Sequence, residues 1–441
     1  MTDPLGGPFV VGGFESGILD PLSSGSAAGD CVGDDAVVAA LAEVELMLSR
    51  SWADSELAPS WVADLTLEGE LDLDLLAEGS RSGGNPVIPL VTQLRKHAEA
   101  EHPGAGDWVH RGATSQDILD TALMLVAKHA VSGMRSELAA LASALATLAD
   151  THRATPQAGR TLTQHAAPIT FGAKVASWLD GVEAARTALD GIVLPVQLAG
   201  SVGIGSAVLD LTGATDAADR LRSALAARLS LADPERSWQA ERTPVVALGS
   251  ALALSIGALG RIAADVLVLA RTEVGEVEEG GGAGSSSAMP QKRNPATATL
   301  IRSAALQSPG LVATLFASLV TGDERPSGTW HAEWQPLRQL LRLGIETAEA
   351  TRSLIDSLEV DVERMAANVQ LSGGLIYAEH VQSVLTSQVG RAEASVTVTN
   401  AIADGGLASL DVELSPASAI LAAGIVIDAS LARHRLSQET Q

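Results

Sequence analysis

A heptad seam constrains this chain more than any other feature. Met124, Ala127, Val131, Met134, Leu138, Leu141, Leu145 and Leu148 recur in alternating steps of three and four. That spacing marks long helices packed at a shallow angle. The seam returns at Leu252, Ile256, Leu259, Ala263, Val266 and Ala270, and long helical patterns follow from Pro295 and from Gln335. A helix of about 30 residues reaches roughly 45 Å and cannot bury itself alone. The expected fold class is therefore all-α, with a long central bundle completed by other subunits. Composition agrees: 46% of the 441 residues are hydrophobic but only 3% aromatic, so Ala, Leu, Val and Ile must build the core.

A chain of this length predicts two or three domains. A Pro- and Gly-bearing stretch up to "EHPGAGDW" closes a first helical domain, 1–106. The long helices occupy 107–358. Shorter periods and returning glycines mark a small helical domain, 359–441. The first thirty residues read as a loose arm, and no strand series is expected.

The formal net charge is -24, which disfavours a nucleic-acid partner, since phosphate binding needs a basic face. The single cysteine, Cys31, cannot form an intrachain disulfide, so a reducing cytoplasm is expected. The N-terminus lacks the pattern of a signal peptide. No charge-free run of the ~18 residues needed to span a membrane is expected. The nearest, "SAILAAGIVIDASLA", is interrupted by Asp428.

Three polar stretches stand outside the seams. In "WVHRGATSQD", Thr114 and Ser115 are placed to cap the helix that follows, and a capped N-terminus is either a plain cap or a carboxylate site. In "RTLTQHAAPITFG", Arg160, Thr161, Thr163, Gln164 and His165 gather ahead of what reads as a Pro-initiated helix. "GGGAGSSSAMPQKRNP" is Gly-rich yet particular about its polar residues. A serine exchanges protons only if its alkoxide is stabilised by N–H donors and a cation, which glycines and Lys292 could supply. The phosphate-binding GxxxxGK[ST] pattern is absent, as are the HExxH and CxxC metal spacings. The acidic run "EVGEVEE" reads as a solvated helix end rather than a cation site.

Together these stretches resemble the fumarase/aspartase superfamily, and "SSAMPQKRNP" is close to its signature. The resemblance spans nearly the whole chain. It implies a homotetramer around a twenty-helix core, active sites shared between subunits, and anti addition or elimination beside a carboxylate, without metal or organic cofactor. It implies that Ser286 exchanges the carbon-bound proton, that Lys292 and Asn294 bind and polarise a substrate carboxylate, and that Thr114 and Ser115 bind another. His165 is a further catalytic candidate and Gln164 a substrate-binding one. One departure stands out: Thr161-Leu162 replaces the Thr-His whose histidine helps the leaving group in fumarases and adenylosuccinate lyases.

"DERPSGTWHAEWQPL" and "LPVQLAGSVGIGS" resemble the 3-carboxy-cis,cis-muconate cycloisomerase branch. That branch lactonises a tricarboxylate by adding an internal carboxylate across a double bond. A carboxylate, with a parent acid near pKa ~4, needs no proton to leave. Arg325, His110, Arg111, Arg160 and Arg293 are candidate carboxylate ligands. Trp330, His331, Glu333 and Trp334 either shape the wall or take part in the chemistry. The alternatives are an adenylosuccinate-type lyase releasing fumarate and a non-enzymatic protein on the same fold. Ser395 replaces a residue that is usually histidine in relatives, and nothing in the sequence explains it.

Overall fold

A computed structural model describes residues 18–280, 289 and 291–439. Fifteen helices carry the described chain. Four precede the bundle: α1 (Ala28–Val32), α2 (Asp34–Asp54), α3 (Leu73–Gly83) and α4 (Val87–Glu101). The bundle helices are α5 (Ser115–Thr151), α6 (Phe171–Asp190), α9 (Thr243–Leu269), α10 (Ala296–Ala317) and α11 (Thr329–Asp356), with the short α7 (Ser206–Thr212) and α8 (Ala217–Leu229) between α6 and α9. Four more close the chain: α12 (Val362–Gln370), α13 (Ala378–Val389), α14 (Arg391–Ala403) and α15 (Ala417–Glu439).

The bundle forms a ring. α5 packs on α6, α6 on α9, α9 on α10, α10 on α11, and α11 back on α5. Both seams face inward. Met124 to Leu145 of the first seam and Leu252 to Val266 of the second are buried, while Leu148 and Ala270 at the helix ends are half-buried. The helices before the bundle share its hydrophobic core. Residues 369–414 build two small clusters, one of Val369, Ile376 and Tyr377 with Ala158, the other around Val381, Val398, Ala401 and Leu407.

The structure corrects several expectations. Two small antiparallel sheets interrupt the helices. β1 (Pro156–Thr161) pairs with β2 (Gln164–Thr170), and β3 (Val277–Glu279) pairs with β4 (Leu358–Val360). The helix expected to start at Pro168 begins instead at Phe171, where the Thr170 side chain accepts from the Ala173 N–H and caps it. α11 starts before Gln335, so "TWHAEW" forms its first turns. The arm is helical from Ala28, and its first seventeen residues lie outside the described part.

Contrary to the sequence expectation, α9, α10 and α15 are long and apolar enough to cross a membrane by length and composition. For α9 the packing supplies part of the reason: it contacts α6, α10 and α11, and half of its apolar window is buried in the bundle.

The bundle sets a length scale. α5 has 37 residues and is therefore about 55 Å long. Around its N-terminus gather the start of α9, through Arg242, and the start of α11, through Trp330; both contact Asp120. Near its C-terminus lie the β1–β2 hairpin and the β3–β4 sheet, joined by the Arg160–Glu276 ion pair.

Candidate active site

The N-terminal end of α5 is built around buried charge. Thr114 is the N-cap, and its N–H donates to Asp117 one turn on, at 2.9 Å. The Asp117 carboxylate also accepts from the Ala199 and Gly200 N–H groups, at 3.0 and 2.9 Å. It thereby ties the Gly-rich segment after Pro195 to the helix start. Burial pushes the Asp117 carboxyl up to about 6, against the pull of those donors.

Deeper in, Arg242 donates to both Asp120 oxygens, at 2.8 and 3.0 Å, and to Glu333, at 2.7 Å. All three are buried. The Trp330 indole N–H donates to Asp120 at 2.9 Å. The "WHAEW" turn is therefore fixed from below by Trp330 and Glu333. Both side chains face inward, into the buried network. His331, on the opposite side of the turn, is exposed and lies 3.1 Å from the Gly84 carbonyl. Its ring lies against Trp330 and Trp334.

Arg325 projects from the α10–α11 loop into this region. Its Nη1 donates to Thr114 Oγ1 at 3.2 Å, and its guanidinium lies over the Trp330 ring at 5.0 Å. A cation, a helix N-terminus and the Thr114 hydroxyl thus meet at one place, with Ser115 the next residue, a combination suited to a carboxylate. Arg111 is used differently. It stacks between Trp108 and Trp52, at 4.6 and 5.6 Å, and donates to the Asp107 carbonyl. His110 adopts a left-handed backbone (φ 62°), and its Nδ1 lies 2.7 Å from the buried Glu45. Burial alone would lower the His110 pKa, but the Glu45 carboxylate outweighs it and the pKa is raised.

The opposite end of α5 is open. Leu162 and Thr163 form the hairpin turn in left-handed conformations, and Leu162 is 96% exposed. Gln164 is exposed and His165 half-buried. Arg160, a candidate carboxylate ligand, is committed elsewhere: its guanidinium pairs with both oxygens of the buried Glu276, at 2.6 and 3.1 Å. Gln157 and Asn368 donate to the same carboxylate.

The acidic run before the Gly-rich stretch is not a solvated helix end. α9 stops at Leu269. Glu276 holds the hairpin, Glu278 pairs with Arg293, and Glu279 accepts from the Thr297 and Ala298 N–H groups at the start of α10, at 3.0 and 2.8 Å. Glu279 therefore staples the base of the loop that carries Lys292, which is exposed, and Asn294, which is half-buried. Both border an open groove of about 1050 Å³. Ser286 lies outside the described residues. Among the described residues, no group of three His, Cys, Asp or Glu is placed to hold a metal ion. Ser395 is exposed on α14, and nothing in the structure explains it.

The sequence candidates thus fall into two groups at opposite ends of α5. His110, Arg111, Thr114, Ser115, Arg325, Trp330 and His331 share one end; Gln164, His165, Lys292 and Asn294 share the other. Sequence reasoning missed Glu45, Asp120, Gln239 and Arg242, whose partners lie tens of residues or more away in the chain.

A family profile described as "Lyase" matches residues 26–310. The chain belongs to that family, within the fumarase/aspartase superfamily. It is an enzyme of that superfamily. It is 46% identical to nitrosuccinate lyase of Streptomyces davaonensis over 89% of this chain and 85% of that one. It is 38% identical to 3-carboxy-cis,cis-muconate cycloisomerase of Pseudomonas aeruginosa, over 79% and 77%. The crystal structure of the 3-carboxy-cis,cis-muconate lactonizing enzyme from Pseudomonas putida superposes with a TM-score of 0.83 at 32% identity, covering 93% of this chain and 97% of that one.

Proposed function

We propose that this superfamily enzyme lactonises 3-carboxy-cis,cis-muconate by anti addition of an internal carboxylate to an alkene. The reading is supported by the "WHAEW" turn, which resembles the cycloisomerase branch, and by Leu162, an apolar side chain at the exposed hairpin tip, where fumarases and adenylosuccinate lyases place a histidine. An enzyme whose attacking or departing group is a stable anion has no need of that histidine.

The roles then divide as follows. The α5 N-terminus, with Thr114, Ser115 and Arg325, binds one carboxylate and fixes the substrate against the wall of Trp330 and His331. Holding the attacking oxygen against the alkene makes the step intramolecular and removes most of its entropic cost. Lys292 and Asn294 stabilise the aci-carboxylate that forms as the C–O bond closes. Ser286 delivers a proton to the adjacent carbon on the opposite face, and the same serine accepts it in reverse. Gln164 and His165 contact the substrate from the hairpin. Atoms balance without any co-reactant, since the product is an isomer.

This scheme requires more than one chain, because the two groups of residues are separated by α5. We assign a homotetramer with shared sites in a cytoplasmic setting. Exposed Leu254, Leu306 and Phe316 on the α9–α10 face are the residues such packing would cover. The three-part division at 106/107 and 358/359 belongs to the same proposal.

A second reading is favoured by the 46% identity to nitrosuccinate lyase. There Ser286 would take the carbon-bound proton, the C–N bond would break, and nitrite would leave as fumarate forms. Nitrite, like a carboxylate, departs without protonation, so Leu162 suits both reactions. The test offers each substrate to the purified protein. Loss of diene absorbance with 3-carboxy-cis,cis-muconate, abolished in Ser286→Ala, supports lactonisation. Nitrite release from nitrosuccinate, with no diene loss, replaces it by the second reading.

A further inference from the structure

The loop that presents Arg325 is poorly held by its own residues. Asp323 adopts a left-handed conformation at φ 57°, a costly backbone for a residue other than glycine, and residues 322–325 are exposed. A strained turn keeps its shape only when its surroundings impose it.

The restraint comes from Gln239, a buried residue between α8 and α9. Its Nε2 donates to the Glu324 carbonyl at 3.0 Å and to the Ser201 carbonyl at 3.2 Å. Glu324 immediately precedes Arg325, and Ser201 lies in the Gly-rich segment that Asp117 ties to the α5 cap. One amide nitrogen therefore spends both hydrogens on two different loops, each with a contact to the α5 N-terminus. Gln239 is itself fixed, since its own carbonyl accepts from Gln116 Nε2 at 2.8 Å. Gln116 lies on the first turn of α5, next to Ser115. The chain of contacts runs from the cap through Gln116 and Gln239 to the backbone beside Arg325. A second tie, Thr321 Oγ1 to the Ala240 carbonyl at 2.9 Å, anchors the start of the loop but stops four residues short of the guanidinium.

We propose that Gln239 is a positioning residue for substrate binding, holding Arg325 in register with the Thr114–Ser115 helix end. The inference rests on the reading of Arg325 as a carboxylate ligand. Gln239 touches no substrate and acts only through the loop.

The test uses the full-length enzyme and whichever of the two substrates it turns over. Gln239→Met keeps the side-chain length and removes both donors. Losing two neutral hydrogen bonds at the mouth of a binding site should raise KM about tenfold and leave kcat within about threefold. The same substitution in an Arg325→Ala background should leave KM unchanged, because the residue through which it acts is gone. Equal increases in both backgrounds, or no increase in either, overturn the proposal. If Arg325→Ala alone leaves KM unchanged, the carboxylate role of Arg325 fails, and amide hydrogen exchange across residues 321–328 then judges the clamp by itself. Faster exchange there in Gln239→Met, with rates in α9 unaltered, supports it. Unchanged exchange overturns it.

Discussion

The two ends of α5 carry half of the candidate site each, and they are built in opposite ways. At the N-terminal end, Asp117, Asp120, Arg242 and Glu333 are buried and hydrogen-bonded to one another or to backbone, and the chemistry-facing groups stand on that base. At the C-terminal end, the hairpin tip is exposed, and the described bases of the hairpin and of the Lys292 loop are tied by Glu276, Glu278 and Glu279. The first end is a finished wall. In the proposed scheme the second carries the proton-transfer group and meets a surface that another chain supplies.

Substitutions at the two ends should therefore fail differently. The largest effect is expected at the open end: Ser286→Ala should lower kcat by about 10³-fold while the melting temperature stays put, because proton transfer of this kind contributes about 10²–10⁴. Stopped-flow or steady-state turnover together with calorimetry reads both. The closed end should show the reverse. Asp120→Ala leaves Arg242 short of a partner and the Trp330 N–H without an acceptor, and should cost about 3–5 kcal/mol in chemical denaturation.

A smaller effect sharpens the contrast through pH. Glu346 is buried on α11, and burial raises its pKa to about 7 against the pull of Arg342. A carboxyl raised on folding contributes stability below its ordinary range, and that contribution is lost as pH rises through the folded value. Between about pH 4.5 and 7 the parent should lose roughly 1–3 kcal/mol relative to Glu346→Gln. Urea titrations at several pH values would read this, and parallel curves for the two proteins would refute it. The smallest effect belongs to Leu162→Ala, which should change stability by no more than about 0.5 kcal/mol, since the side chain is almost fully exposed in the single chain. A larger loss confined to the assembled protein would show that a neighbouring copy covers the hairpin tip.

Much of this architecture is legible in the sequence, for physical reasons. A heptad seam is a local periodic signal, so burial from Met124 to Leu145 follows from spacing alone. Thr114 is legible as a cap because capping is decided within one turn. The hairpin at Arg160 is not, because its turn places Leu162 and Thr163 in the left-handed region without the glycine or asparagine that usually announces one. The partners of Arg160 and Arg242 are not legible either. Glu276 and Glu333 lie 116 and 91 residues away, and an ion pair between distant residues leaves no local pattern. The motif identifies Ser286 and Lys292 as a pair but not the carboxylates that hold their loop in place.

The length of α5 carries a further implication. On the proposed scheme a lone chain owns both halves of a reaction centre and cannot bring them together, since α5, about 55 Å long, keeps them apart. Turnover per chain should then depend on concentration, collapsing on dilution below the point where copies separate even though each copy stays folded. Two inactive variants with lesions at opposite ends, Ser286→Ala and Arg325→Ala, should regain activity when unfolded and refolded together, because some mixed sites would draw both intact halves from different chains.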